Sequence, residues 1–339
     1  MAPPLLRLLR ALPSPVEPPA ADDAPELLTQ ARRHALSALV RHALSEGQVA
    51  LPAAQDAVLR RDAGDVVGTN LRLKSLLLRS VDALAEAGVE APVVLKGYVL
   101  AARLYPDPLL RPSTDVDLLV REGELDSAHT ALEGLGLRRV MDSGYGDYLS
   151  HHHHYSYVGD AGTVELHFRP AFGLGRALSS HAWLERAVPF ALDGARLVRH
   201  LAPEDELVYL CVHAAQHAFL RLGWLYDLKL FVSRKPGLDW DGVASRAREA
   251  GMGVAVRTAL EVARARLDAP VPEEVLAALP GGRLRALVAR RIFHGDELVT
   301  PRWAEQKVPA FLLRSLLCTG ARATLRHGAE AVGRVVRRR

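Results

Sequence analysis

Two aspartates on one short apolar segment constrain this chain more than any other feature. Asp115 and Asp117 lie in DVDLLV, whose other residues are typical of a buried β-strand. Because side chains two positions apart on a strand point to the same face, the two carboxylates are predicted to lie side by side. Adjacent carboxylates repel each other unless a cation or protons lie between them. The segment therefore predicts a hard cation such as Mg²⁺, held by these carboxylates and by the phosphates of a substrate.

A third carboxylate lies in a second apolar segment. The sequence TVELHF, residues 163–168, predicts another strand and places Glu165 among core-like residues. A buried carboxylate without a partner costs several kcal/mol, so acids on neighbouring strands are expected to share metal ions. Two ions about 4 Å apart can stabilise both the attacking and the leaving oxygen of a phosphoryl displacement. The hypothesis fails if Glu165 lies far from Asp115 and Asp117.

The segment VVLKGYVL, upstream of the aspartates, predicts a strand, a tight turn and a helix. Gly97 at the turn would let the backbone approach an anion closely, and the first amides of the helix would favour negative charge. Lys96 could add a point charge, and Arg111 a bidentate fork, for phosphate. Each has a structural alternative. Lys96 could extend from a strand end to solvent, and Arg111 could be a surface residue of a Pro-rich loop.

Around this segment the chain of 339 residues divides into four regions. Residues 1–25 hold many prolines and are predicted to form a poorly ordered arm. Residues 26–88 are predicted to form an N-terminal helical region, residues 89–200 a mixed α/β core, and residues 201–339 a C-terminal helical domain.

Apolar periodicity predicts the individual elements. Spacings of three and four predict helices over Glu26–Glu46, Ala53–Ala63 and Asn70–Ala87. Strands are predicted over Val93–Leu95, Asp115–Val120, Leu137–Met141, Ser150–Val158 and Thr163–Phe168, with a weaker hairpin of Val188–Phe190 and Ala195–Val198. Residues Pro170–Leu178 are predicted to form a loop, and the chain past Pro203 is predicted to be helical.

The order of these motifs resembles a known family. LKG, LYPDP, DVDLLV, VELHFRP, and HAAQH followed by WLYDL are similar to the bacterial uncharacterised nucleotidyltransferases, within the DNA-polymerase-β-like nucleotidyltransferase superfamily. The resemblance covers roughly Leu71 to Val232. It implies an α+β fold, in which a polymerase-β-like nucleotidyltransferase core with a mixed β-sheet is flanked by N-terminal and C-terminal helical regions. It also implies an enzyme that moves an NMP from an NTP, ATP being the expected one, to an acceptor by a two-magnesium mechanism, with Mn²⁺ as the alternative ion.

The resemblance implies roles for individual residues. Asp115 and Asp117 would be metal ligands, and Glu165 a third ligand to the ion that activates the acceptor, with a further role as general base. The acceptor is not inherited from the family and could be a small molecule, a peptide or RNA.

By the same resemblance, Gly97, with Lys96, would occupy the phosphate-binding turn. Arg111 and His167 are also expected to contribute to nucleotide binding. Most members of the superfamily have Gly-Ser at this turn, where this chain has Lys96-Gly97-Tyr98.

Several histidines lie near these motifs. The run His151–His154 places alternate imidazoles on opposite faces of a strand, so that one pair could line the cleft beside His167. A zinc site is one alternative, although no cysteine or acid spacing completes it. His213 and His217 are one helical turn apart, but residue 214 is Ala where a zincin needs Glu, which excludes that metalloprotease motif. With Asp227 they could form either a polar structural network or a substrate contact.

Functions other than nucleotidyl transfer predict other motifs. The sequence has neither a Walker A motif nor a G-x-S-x-G elbow. Two alternatives stay open: a catalytically silent module that binds nucleotide or a partner, and a toxin-like enzyme that nucleotidylates RNA or protein. The Arg-rich tail, with Arg334 and Arg337 to Arg339, could make weak contacts with anions. No transmembrane segment or signal peptide is predicted, so the expected location is the cytoplasm.

Overall fold

The structure is a computed structural model. It describes residues 2–14, 20–89, 91–140, 149, 152–174, 176–192, 196–281, 291, 293, 298–300 and 307–337. Two compact units divide the chain. The first comprises Met1–Ala63, Gly173–Arg176 and Leu207–Arg339, and the second comprises Gly64–Phe172 and Ala177–Glu206.

The second unit contains a mixed sheet of seven strands. They are β1 (Val93–Val94), β2 (Asp115–Leu119), β3 (Arg138–Val140), β4 (His154–Gly159), β5 (Gly162–His167), β8 (Val188–Leu192) and β9 (Arg196–His200). Their order across the sheet is β3-β4-β5-β2-β1-β9-β8. Strand β2 is parallel to β5 and β1 is parallel to β9, while the other neighbours are antiparallel. A separate two-stranded sheet pairs β6 (Phe172–Gly173) with β7 (Arg176–Ala177).

The helices follow the periodic apolar patterns of the sequence. In chain order they are α1 (Pro4–Ala11), α2 (Ala24–Arg33), α3 (Ser37–Glu46), α4 (Ala53–Glu86), α5 (Tyr98–Leu104), α6 (Leu125–Gly134), α7 (His181–Arg186), α8 (Pro203–Gln216), α9 (Leu222–Arg234), α10 (Trp240–Glu249), α11 (Gly253–Leu267), α12 (Glu273–Ala278), α13 (Lys307–Leu317) and α14 (Ala321–Arg337). Short 3₁₀ turns lie at Ala21–Asp23, Pro108–Leu110 and Glu122–Glu124. Within the described ranges, no helix has both the length and the apolar character that a membrane span requires.

One face of the seven-stranded sheet is covered by helices. Leu118 of β2 and Leu166 of β5 belong to one buried cluster with Leu76 and Leu84 of α4 and Leu132 of α6. Because strand side chains alternate, Asp115, Asp117 and Glu165 lie on the opposite face from these core residues. The core thus fixes the strands from one side, and the three acids lie on the other.

The structure confirms most of the predicted strands and corrects several other elements. Residues Pro170–Leu178 were predicted as loop but contain β6 and β7, and α7 was not predicted. The helices predicted over Ala53–Ala63 and Asn70–Ala87 are one continuous helix, because the two glycines between them cost only about 1 kcal/mol each and no proline interrupts the backbone hydrogen bonds. Residues Met141, Ser150 and Ala195, at the ends of three predicted strands, lie outside the described residues.

The proposed disordered arm is wrong for residues Pro4–Ala11, which form a helix. Pro4 is at the first helical position, where a proline costs nothing because its missing N–H has no helical partner. The pattern of leucines and arginines then places Leu5, Leu6 and Leu9 on one buried face. The other predicted boundaries, at residues 88 and 200, stay predictions.

A buried histidine connects three segments of the first unit. The Nε2 of His34 lies 3.0 Å from the carbonyl oxygen of Val299, and its Nδ1 accepts a hydrogen bond of 3.2 Å from the Leu222 amide. These partners require the neutral ring with the proton on Nε2. Burial accordingly lowers the pKa of His34 from 6.5 to about 4.

We expect His34 to make the fold acid-sensitive. Between pH 6.5 and 4 the unfolded chain binds the proton and the folded chain does not, so stability falls as the pH is lowered through this window. At pH 5 the loss relative to pH 7 should be about 2 kcal/mol from this residue. Urea unfolding of wild type and His34→Gln at pH 7 and pH 5 gives the loss in the free energy of unfolding for each protein. The variant should lack the His34 contribution, since glutamine does not titrate. An equal pH dependence in the two proteins would contradict the prediction.

Candidate active site

The register of two parallel strands brings the predicted acids together. Asp117 of β2 pairs directly with Glu165 of β5, and Asp115 lies two residues earlier on the same face. One ligand atom from each of Asp117, Glu165 and His167 lies within 4.8 Å of the others. The fifty residues that separate Asp115 from Glu165 in the sequence therefore do not separate them in space. Glu165 thus lies close to Asp115 and Asp117, as the catalytic hypothesis requires.

Lys96 lies between the two aspartates. Its Nζ is 2.9 Å from Asp115 Oδ1 and 2.6 Å from Asp117 Oδ2, and its side chain is only 10% exposed. Burial alone would raise the pKa of Asp117, but the charges of Lys96 and His167 outweigh burial and hold that pKa below its usual value. The buried aspartate is therefore ionised, with Lys96 as its counter-ion. Lys96 is not the solvent-directed lysine of the structural alternative.

His167 and Glu165 form the second charged pair of the site. His167 Nε2 lies 3.1 Å from Asp117 Oδ1 and 3.5 Å from Glu165 Oε2. Burial lowers the pKa of His167, but its bonds to the two carboxylates raise it overall to about 9. Burial likewise raises the pKa of Glu165, and the facing imidazoles of His167 and His154 bring it down to about 2. Both groups are charged at neutral pH.

The turn before α5 needs a glycine for conformational reasons. Gly97 has φ of 69° and ψ of −136°, a backbone geometry that residues with a Cβ rarely adopt. A Cβ there would meet only the Asp115 carbonyl oxygen, at 3.9 Å, so the dihedral angles and not space require glycine. The turn, Lys96, Asp115 and Asp117 line one cleft, and Lys74 of α4 lines it too.

Arg111 is buried, in contrast to the surface alternative considered from the sequence. It is 4% exposed, and its Nη1 donates to Ser113 Oγ at 3.2 Å. The side-chain amide of Asn70 donates to the carbonyl oxygens of Leu109, at 2.6 Å, and of Arg111, at 2.8 Å. Asn70 was not singled out from the sequence, where the only signal was an amide on an apolar helix face. It holds the loop that leads into β2.

The far end of α5 is held by a second ion pair. Arg103 bonds through both Nη atoms to the fully buried Glu206, with Nη1 2.8 Å from Oε2. A bidentate pair of this kind fixes direction as well as distance. The helix that follows Gly97, α5, is therefore held by the Gly97 turn at its start and by this ion pair at its end. Nothing in the sequence pattern indicated this pair, because its partners are about one hundred residues apart.

The histidine run reaches the site through two of its members. His153 and His154 each have a ring nitrogen within 4.8 Å of one on His167. His151 lies outside the described residues. In the first unit, His213 and His217 pack against Trp224, with ring centroids 5.1 Å from the indole in both cases. Whether that cluster, with Asp227, serves structure or substrate binding stays a prediction.

The sequence was compared with known protein families and structures. The model of a family described as uncharacterised nucleotidyltransferase matches residues 20–268. The chain belongs to this family. The match confirms the predicted family of uncharacterised nucleotidyltransferases, the nucleotidyltransferase core and the assignment of the chain to an enzyme class that transfers nucleotides.

Among solved structures, the solution structure of the antibiotic-resistance factor ANT(2'')-Ia is similar to part of the chain. The identity is 16% and the TM-score is 0.37, and the match covers 52% of this chain and 90% of that one. Among curated proteins, the sequence has no significant match.

We expect Lys96→Met to destabilise the protein and to increase its response to Mg²⁺. Removing one partner of a buried ion pair costs about 3–5 kcal/mol, because the carboxylates lose their counter-charge. A divalent cation can then replace the ammonium without competition. Thermal unfolding with and without Mg²⁺ measures both effects.

Lys74→Met is the matched control for this substitution. It makes the same charge change in the same cleft, but the Lys74 Nζ lies over the Tyr98 ring, 4.8 Å from its centroid. It should cost about 1 kcal/mol and leave the Mg²⁺ response as in wild type. Equal behaviour of the two variants would show that Lys96 does not compensate the aspartates.

Proposed function

We propose that this chain transfers an NMP from an NTP, ATP being the expected donor, to an acceptor hydroxyl or phosphate with two Mg²⁺ ions. The observation that carries the proposal is the direct pairing of Asp117 with Glu165, with Asp115 on the same face. Three carboxylates that converge on one face of a sheet are the oxygen donors that Mg²⁺ prefers. Asp117 is buried beside the apolar core, where a carboxylate is costly without cations to compensate its charge. The residues therefore fit the ions.

The three acids would hold the metal ions. Mg²⁺, when bound, supplies charge neutralisation for the phosphates and activation of the attacking oxygen. Glu165 suits the part of a ligand better than that of a general base, because a carboxylate with a pKa of about 2 is a poor proton acceptor at neutral pH. The proton that leaves an attacking hydroxyl would then pass to another base or to solvent.

The cations of the site would bind the triphosphate. Lys96 would exchange its carboxylate partners for phosphate oxygens, since it is the cation nearest to both the aspartates and the Gly97 turn. Arg111 would act through Ser113, which lines the cleft. His167 would keep Asp117 oriented through its hydrogen bond and remain beside the nucleotide.

The reaction is tested with ATP labelled at the α or the γ phosphate. With Mg²⁺ and candidate acceptors, including sugars, peptides and RNA, we expect the α label to reach the acceptor and pyrophosphate to be released. Asp117→Asn and Glu165→Gln should each lower the rate by at least about 100-fold, because each removes a ligand to the ions. Glu185→Gln is the control, since Glu185 is an exposed acid of the same unit that pairs with His181. Transfer of the γ label alone would indicate a kinase instead.

One observation favours the second candidate, a catalytically silent module that binds nucleotide. Lys96 already compensates both aspartates, so the acids can be stable without metal. In that case Mg²⁺-dependent ATP binding would be lost in Asp117→Asn, and no acceptor would be labelled by the wild type. A toxin-like enzyme would differ only in its acceptor. Growth arrest on expression, relieved by Asp115→Ala, together with labelling of RNA or protein, would identify it.

A further inference from the structure

Three imidazoles meet at the edge of the carboxylate site. His154 of β4 pairs directly with His167 of the antiparallel β5, and His153 precedes His154. One ring nitrogen from each of the three lies within 4.8 Å of those of the other two. His153 Nε2 and His154 Nδ1 are 3.2 Å apart. Two ligand nitrogens in a tetrahedral zinc site are about 3.3–3.4 Å apart, given Zn–N distances of about 2.0–2.1 Å.

The second nitrogens of two of these rings face carboxylates. His154 Nε2 lies 3.6 Å from Glu165 Oε1, and His167 Nε2 lies 3.1 Å from Asp117 Oδ1. This leaves His154 Nδ1 toward His153, and His167 Nδ1 is buried without a hydrogen-bond partner among the described residues. In metal sites, a coordinating histidine commonly directs its other nitrogen to a carboxylate, which fixes the ring and increases its basicity. His154 and His167 each have one ring nitrogen beside a carboxylate, as such ligands do.

The backbone that carries the cluster is held in place. The amides of Phe168 and Arg169 both donate to the carbonyl oxygen of His153, at 3.0 and 3.2 Å. The Arg169 guanidinium bonds to the carbonyl oxygens of Leu149 and His152 on the approach to β4. A ligand set that is fixed before metal arrives loses little entropy on binding.

We propose that His153, His154 and His167 form a binding site for a divalent transition metal of borderline softness, of which Zn²⁺ is the expected one. Three imidazoles with a fourth position left for water or substrate are a donor set for Zn²⁺ and not for Mg²⁺, which prefers oxygen. Metal binding would displace the proton that His167 carries in the absence of metal, because a histidine ligand must be neutral. Asp117 and Glu165 orient the rings and are not themselves ligands of this metal. The site is therefore separate from the Mg²⁺ site in its donors, although the two share neighbours. The proposal does not require nucleotidyl transfer.

Cobalt provides a spectroscopic test of this site. The full chain, stripped of metal with a chelator, is titrated with Co²⁺, whose visible absorption is intense when it is four-coordinate and weak when it is six-coordinate. We expect one intense Co²⁺ site per chain, abolished by Zn²⁺ and unaffected by Mg²⁺. His153→Ala and His154→Ala should each weaken Co²⁺ binding by at least about 100-fold.

Two variants serve as controls. His152→Ala removes the neighbouring histidine of the same run, which does not belong to the cluster, and should bind Co²⁺ as wild type does. Asp115→Asn removes a carboxylate of the Mg²⁺ site and should also keep the intense bands. Failure of nucleotidyl transfer and failure of the histidine site are therefore distinguishable.

The site is overturned if wild type gives only weak bands, or if the bands survive in the variant that lacks both His153 and His154. Equal weakening by His152→Ala and His153→Ala would also overturn it, since that is the behaviour of a histidine run without a defined site. If a variant does not fold, X-ray absorption at the zinc edge of the wild type decides the question. Scattering from three imidazoles supports the site, and an all-oxygen shell contradicts it.

Discussion

The geometry of this site depends on how an apolar sheet accommodates the Asp117 carboxylate. Asp117 is 2% exposed and lies on β2, whose alternate residues form the core. Without charged partners, burial would raise the pKa of this carboxyl and leave it neutral. It is kept ionised by Lys96 on one oxygen and His167 on the other. The aspartate, the lysine and the histidine therefore form one electrostatic unit, and a substitution at one of them acts on the other two.

The surrounding elements keep this unit in position. The Leu95 amide donates to the Asp117 carbonyl oxygen at 3.2 Å, which aligns the end of β1 with the acids. Gly97 then reverses the chain, and the pair of Arg103 with Glu206 holds the helix that follows. On the other side, Asn70 fixes the loop that enters β2. Each contact joins segments that are far apart in sequence, so the site is assembled by the tertiary fold.

The sequence was sufficient to predict which acids converge but not which residues bond to them. Alternation in DVDLLV and TVELHF identified Asp115, Asp117 and Glu165 and predicted that they converge, because strand pleating is local. It could not predict that Lys96 bonds to the acids, since a lysine at a strand end can extend in several directions. Asn70 and Glu206 were missed for a related reason, as no local pattern identifies the distant partner of either residue. The helix at Pro4–Ala11 was missed because prolines at either side of it outweighed its apolar face in the sequence interpretation.

The side chains of β2 and β5 alternate between two faces, so the residues that stabilise the core are different from the acids of the candidate site. Val116, Leu118, Val164 and Leu166 all point into the core, and the acids all point away from it. A related chain could therefore lose its acids by substitution and keep its fold, on condition that Lys96 changes with them so that no buried ammonium is left without a counter-charge. A relative in which Lys96 and both aspartates are replaced together would be expected to have lost the reaction. A relative that retains all three would be expected to be under selection for it.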